Sequence, residues 1–409
     1  MKIAEYLPPM LDGEVLNETV MHLPVYTREI IEAPVPQRLL ALNDIYEIYI
    51  PTDMTREIYT RLYMAMYRSL QRKDTKEAII QANHNFRMKK TGVSSSSVIG
   101  GSDCLTIIGD SGIGKSRAIS EVLKVIAGDN QIETEKPFRK VVPCISVQTP
   151  FDSSVKSLLL EILKEADLHL ETNFYDQAIR SKATTDVLIM TVSQVALEHL
   201  GMIVVDEIQN VIKAKQGRNL VGCLTQLINY SGIAIVMVGT PECIDFFESE
   251  MYLGRRAVGL RYGPLKYNET FQKICEYLFS LYYVRQAPIL TEDLCAWLWS
   301  KTQGNISALI GMIAGAQELA ILSGREELNK EALQEAYDTR LASLQVFLRP
   351  KETKQTARKK KETHVYRDVE HSENSMKSTY AEIVNHAKRQ SLDAMEHLQG
   401  AGLIEVIDA

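Results

Sequence analysis

The alternation of apolar and polar positions changes rhythm several times along this 409-residue chain, and each change marks a part of it. Residues 1–53 keep no period and carry Pro8, Pro9, Pro24, Pro34, Pro36 and Pro51. That predicts an extended N-terminal arm that lies over another surface without its own core and docks a partner. Over 54–73, Ile58, Leu62, Met66 and Leu70 recur every fourth residue beside a stripe of Tyr59, Tyr63 and Tyr67, so a helix is expected. The tyrosines suit a platform for stacked bases, but packing against the neighbouring domain is the simpler use of such a stripe. A Gly/Ser-rich lead-in covers 92–103. Short apolar runs at 104–109, 140–147, 202–207, 233–240 and 256–262 then alternate with helical stretches such as 154–166 and 184–200, the rhythm of a parallel α/β sheet. From 268 to 344 the pattern is purely helical; 349–362 is a charged run poor in apolar residues, and a last helical stretch spans 376–398. The expected division is an arm at 1–53, an α/β core with a leading helix at 54–266, an all-α lid at 267–346, and a basic linker with a helical, partner-binding tail at 347–409.

Composition narrows the class without naming it. The formal net charge is -6, so any contact with nucleic acid must come from a local basic patch. The cysteines at 104, 144, 223, 243, 275 and 295 stand singly in apolar runs, without the paired spacing of a zinc site or a disulfide framework, and read as buried thiols of a reducing compartment. The first residues lack an apolar signal region, and no run approaches the roughly 20 apolar residues that cross a bilayer. A cytoplasmic protein without membrane contact is expected.

The segment IIGDSGIGKSRAIS at 107–120 carries the chemistry. Its spacing, Gly109 followed by Gly114, Lys115 and Ser116, is that of a P-loop, in which backbone N–H groups close around phosphates, the lysine neutralises the β- and γ-phosphates and the serine hydroxyl reaches Mg²⁺. A strand before it and a helix after it, with Ile119, Val122, Leu123 and Ile126 at helical spacing, supply the required setting. The candidate cradle is therefore Gly109, Asp110, Ser111, Gly112, Ile113, Gly114, Lys115, Ser116 and Arg117, with ATP and Mg²⁺ as ligands.

ATP cleavage also needs a carboxylate to hold the metal's water shell and a second acid to polarise the attacking water. GMIVVDEIQN places Asp206 and Glu207 at the C-terminal end of an apolar strand, where open α/β sheets bind ligands. Asp206 is assigned to Mg²⁺, together with Ser116, and Glu207 to the base. The next strand ends in Thr240, whose hydroxyl suits either the γ-phosphate and lytic water or the N-cap of the helix that follows.

This order of motifs, closed by a helical lid, resembles the AAA+ P-loop ATPases over about residues 90–340. More narrowly, YIPTDMTREIY, GDSGIGKS, IVVDEIQN, the VGTPE strand end and the pair Arg255 and Arg256 look like TnsC, the ATP-dependent regulator of a class of bacterial transposons, and its TniB and MuB relatives. The resemblance implies a ring or helical filament on double-stranded DNA, nucleoid-associated, that links a target-selection protein to a transposase. It also implies hydrolysis between subunits, with Arg255 or Arg256, or Arg261 in their place, reaching the neighbour's γ-phosphate. The chain departs from the AAA+ pattern at TQGNISALIG, where Asn305, Ile306 and Ser307 replace the lid arginine, so a second sensor is not expected and slow hydrolysis is.

DNA contact should be mainly to phosphate, through Arg180 and Lys182 before the acidic strand and Lys213, Lys215 and Arg218 after it, repeated around an assembly. The run Arg358, Lys359, Lys360 and Lys361 suits DNA or a solvated tether equally. Two other readings share the same site: an AAA+ initiator or helicase loader, and a nucleotide-dependent scaffold that does not hydrolyse.

Overall fold

The computed structural model describes residues 2–91, 97–99, 104–128, 131–135, 138–150, 154–210, 217–249 and 257–348. Six strands form one sheet: β1 (Cys104–Gly109), β2 (Ile132–Glu135), β3 (Phe138–Gln148), β4 (Leu200–Asp206), β5 (Ala234–Gly239) and β6 (Ala257–Tyr262). Their order is β2-β3-β4-β5-β1-β6, parallel except for the β2–β3 pair. The five expected strands are all present. The added one, β2, pairs Ile132 with Val141 in a hairpin.

A parallel sheet must be covered on both faces, and two apolar clusters do so. One face carries α7 (Val155–Leu170), α9 (Thr185–His199) and α10 (Gly217–Ser231), which bury Leu158, Ile162, Val192, Leu224 and Ile228 against β3, β4 and β5. Between α7 and α9 runs the short α8 (Phe174–Arg180). The other face carries α4 (Asp53–Lys73) and α6 (Lys115–Ile126). The expected stripe of α4, Ile58, Leu62, Met66 and Leu70, is fully buried there. Its tyrosines pack rather than stack bases: Tyr59 and Tyr63 are buried. The Tyr59 hydroxyl accepts from Leu11 N at 2.8 Å and the Tyr63 hydroxyl donates to Pro8 O at 2.8 Å. A further helix, α5 (Lys76–Thr91), follows α4.

The lid is a third apolar cluster built by α12 (Glu269–Ser280), α13 (Glu292–Thr302), α14 (Ile306–Leu322) and α15 (Lys330–Thr339). Each lid helix starts at its own side-chain cap: Asn268, Thr291, Asn305 and Asn329 accept from the backbone N–H three residues on. Such a cap is worth about 1 kcal/mol over alanine. A short helix, α11 (Ile244–Ser249), follows β5. The parallel sheet with a P-loop after β1, followed by an all-α lid, is the α/β P-loop arrangement expected from the sequence.

The N-terminal region differs from the extended arm expected. It folds into α1 (Gly13–Val20), α2 (Val35–Ala41), α3 (Asp44–Glu47) and two 3-10 turns, Ile3–Tyr6 and Arg28–Glu32. The prolines start helices here: Pro34 caps α2 and Pro36 lies in its first turn, where a missing N–H costs nothing. Residues 3–20 contribute Ile3, Ala4, Leu16 and Val20 to the sheet-side cluster. Residues 42–48 contribute Leu42, Ile45 and Ile48 to the lid cluster. Arg38, 1% exposed, clamps this second half to the lid through a two-pronged pair with Glu326, both contacts 2.6 Å, and a bond to Tyr283 O at 3.0 Å. The region thus joins core and lid.

Candidate nucleotide site

The sheet order dictates where the motifs meet. β5 lies between β1 and β4, so Thr240 at its end sits between the P-loop and the acidic pair. The loop itself is shaped by glycine: Gly112 (φ 80°) and Gly114 (φ 93°) adopt the left-handed region, which costs glycine little. Gly112 also lies against Asn305, whose Oδ1 would stand 2.7 Å from an added Cβ. Gly114 precedes α6 and provides no side-chain cap, so the first N–H groups of that helix are left for an anion.

Around this loop opens a cavity of about 510 Å³, within the range of small-molecule sites. Ser111 through Arg117 line it, with Asp206, Glu207, Gln209 and Thr240 at the same end. The Ser116 hydroxyl donates to Asp206 Oδ2 at 2.8 Å. Asp206 Oδ1 accepts from Glu207 N at 2.7 Å, and its carbonyl is held by Thr149 N and Oγ1 at 3.0 and 2.8 Å. Glu207 occupies the left-handed region (φ 56°), which for a non-glycine residue costs of order 1–3 kcal/mol and recurs at functional sites.

Lys115, 9% exposed, donates to Gly109 O at 2.7 Å and Asp110 O at 2.9 Å. Gly109 and Asp110 therefore back the loop through their carbonyls instead of lining the cavity. Burial pulls the Lys115 ammonium below its usual range, opposed by Asp206, Glu207 and Asp110. Such an ion suits a ligand that brings its own negative charge. The donor set fits ATP with Mg²⁺: a helix N-terminus and a lysine for phosphate, a hydroxyl and a carboxylate in contact for the metal. Thr240 starts a short turn without donating or accepting a side-chain cap bond. Its Oγ1 is buried and unpartnered, so the N-cap reading of this hydroxyl does not hold.

Several lining residues carry no motif: Tyr46 and Ile48 from the N-terminal region, Ile274 and Leu278 from α12 and Ile310 from α14, while Ile50 and Met54 come from the YIPTDMTREIY segment. Arg117, which lines the cavity, pairs with Glu121 at 3.0 Å and Glu47 at 3.4 Å. It ties α6 to α3. At the lid, Asn305 Nδ2 donates to Ser111 O at 2.8 Å and Ser307 N to Gly112 O at 3.0 Å. Neutral hydrogen bonds thus pin the start of α14 on the P-loop where an AAA+ lid often has arginine.

Of the other basic candidates, three have their side chains among the described residues. Arg180 ends α8 and Lys182, in the left-handed region at φ 51°, follows it; both are exposed. Arg261 lies on edge strand β6 and is exposed. Arg255, Arg256, Lys213, Lys215 and the 358–361 run lie outside the described residues, as does the side chain of Arg218. None of the six cysteines is in a disulfide, and five of them are buried. Among the described residues no single helix is long and apolar enough to cross a membrane.

The family model described as bacterial TniB protein matches residues 97–260, from the lead-in before β1 into β6. No curated protein matches the sequence. Among solved structures, the chain is similar to the Aeropyrum pernix ORC1 protein in complex with DNA, at 17% identity and TM-score 0.42, covering 64% of this chain and 63% of that one. It is similar to Drosophila ORC bound to DNA, at 12% identity and TM-score 0.45, over 99% and 86%. It is also similar to domain III of the Thermotoga maritima replication initiation protein DnaA, at 16% identity and TM-score 0.35, over 68% and 94%. All three likenesses are remote, and the chain spans under two thirds of the ORC1 chain. Over residues 97–260 the chain is thus similar to the bacterial TniB family, carried on a parallel sheet with a P-loop after its first strand.

Proposed function

We propose that this chain binds ATP with Mg²⁺ in the cavity, hydrolyses it slowly, and uses the bound state to time assembly on double-stranded DNA. The ring or helical filament so formed links a target-selection protein to a transposase. The observation that carries the nucleotide part is the 2.8 Å contact of Ser116 Oγ with Asp206 Oδ2 beside Lys115 and Glu207. The TniB match supports the transposition part.

In the cleavage step Glu207 accepts a proton from water as the water oxygen attacks the γ-phosphorus. The bond to the β–γ bridging oxygen breaks, and its electron pair leaves with ADP. Lys115 and the α6 N-terminus hold the phosphates, and Thr240 touches the γ-phosphate or the water. Mg²⁺ held by Ser116 and Asp206 supplies charge neutralisation when bound. Arg255 or Arg256 of a neighbouring copy, or Arg261, stabilises the departing charge. DNA phosphates meet Arg180, Lys182, Lys213, Lys215 and Arg218. The protein acts in the bacterial cytoplasm, at the nucleoid.

Phosphate release in the presence of DNA tests this. Glu207→Gln should bind ATP as the wild type does and lose about 100-fold or more in turnover, while Lys115→Ala should lose binding. A wild type that binds ATP and releases no phosphate would leave a nucleotide-dependent scaffold in place of the ATPase.

A further inference from the structure

The cavity wall between Glu207 and Thr240 holds a third polar side chain that the cleavage step above does not use. Gln209 is 7% exposed. Its Nε2 donates to Glu207 Oε2, while its Oε1 is buried without a hydrogen-bond partner. That oxygen lies at the end of β5, since a Cβ added at Gly239 would stand 3.2 Å from it. The next residue, Thr240, carries the other unpartnered buried oxygen of this wall.

The backbone makes the juxtaposition. Glu207 turns the chain in the left-handed region directly after β4. Ile208 N then donates to Val238 O at 3.1 Å, and Asn210 N to Glu207 O at 3.0 Å. Two residues apart in an extended strand stand about 6.5 Å from each other; this turn instead folds the amide of Gln209 back onto the carboxylate of Glu207.

A buried polar oxygen left unpaired costs about 1–3 kcal/mol, and here two belong to residues at the end of β5 and at the turn that carries Glu207. A water molecule can satisfy both, together with the Glu207 carboxylate. It donates one hydrogen to Glu207 and the other to Gln209 Oε1, accepts from the Thr240 hydroxyl, and keeps one lone pair for phosphorus. The Gln209 donor meanwhile occupies only Oε2 of Glu207, leaving Oε1 of the carboxylate for the water.

We infer that Gln209 is a positioning residue for hydrolysis: its amide N–H fixes the Glu207 carboxylate, and its carbonyl, with the Thr240 hydroxyl, orients the attacking water. This rests on the ATPase reading above. The water's proton passes to Glu207, its oxygen to the phosphate, and the amide is unchanged at the end of the step.

Gln209→Leu and Gln209→Glu in the full-length chain test it, with equilibrium ATP binding and steady-state turnover. Leucine keeps the volume and removes donor and acceptor; glutamate keeps the acceptor and sets a second carboxylate against Glu207. Both should lose about 10-fold or more in kcat with the Kd for ATP within about 2-fold of wild type. Because Gln209 and Glu207 act on the same water in one step, Gln209→Leu should add almost nothing in a Glu207→Gln background, which loss of packing would not reproduce. Unchanged kcat in Gln209→Leu, equal losses in both backgrounds, or ATP binding lost along with kcat would overturn the inference. An inactive wild type would instead overturn the ATPase reading itself.

Discussion

Thr240 Oγ1 is buried at the end of β5 with no hydrogen-bond partner, a cost that a fold retains where function needs the group. Thr240→Val keeps the shape and removes that cost. It should leave thermal stability equal or raise it by about 1 kcal/mol, while ATP turnover falls; a clearly lower melting temperature would show that the hydroxyl is structural after all. At this scale the site was legible where its residues are neighbours in sequence. Glycine, lysine and serine at 109–116, and the acids at 206 and 207, announce themselves by local spacing. The role of Thr240 was open because a cap and a phosphate contact both ask for a hydroxyl at that position. Geometry resolves the cap. Tyr46 and Ile48 stand in no motif, and only packing some sixty residues from the P-loop brings them to the cavity. Gln209 was hidden for a related reason, since nothing in DEIQN reveals that the chain reverses at Glu207.

Elements with strong periods or caps were the readable ones. α4 shows its buried stripe in sequence, and each lid helix opens with an Asn or Thr that closes its first turn. The hairpin strand β2 is four residues long with Ile132 its one apolar residue beside Glu133, Thr134 and Glu135, too short and too charged to stand out. The proline-rich start misled in another way: proline there begins helices as readily as it prevents them. The end of α4 carries a pH-dependent term. Lys73, 2% exposed, donates to Ala196 O and Leu197 O, two carbonyls in the last turn of α9 before strand β4. Burial, with Arg139 nearby, lowers its pKa to about 7, against Glu198 and Asp74. Between that value and the ordinary lysine range the unfolded chain binds a proton that the folded chain has given up. The folded state therefore gains stability as pH rises through this window, and the gain is lost as pH falls back towards 7. Relative to Lys73→Met, the wild type should gain about 2 kcal/mol between pH 7 and pH 9 in denaturant melts. A difference that stays flat with pH would show that Lys73 keeps its proton when buried.

The whole molecule places one cavity where three parts meet: the P-loop sheet, the lid and the N-terminal region that spans both. The sheet and lid could be anticipated, because strand–helix alternation followed by a purely helical run has few solutions. The bridging role of the first fifty residues could not, because Arg38 and Glu326 are 288 residues apart and neither stands in a motif. That geometry would let a nucleotide touch every part at once, as the proposed timing of assembly requires. With a net charge of -6, the proposed DNA contact would have to be built by repetition of local basic contacts around an assembly. The most direct measurement is therefore imaging of the purified protein with duplex DNA, with and without a slowly hydrolysed ATP analogue, beside Lys115→Ala. Rings or filaments that need both nucleotide and DNA, and vanish in the variant, are the predicted result; particles that stay monomeric in every condition would contradict nucleotide-timed assembly.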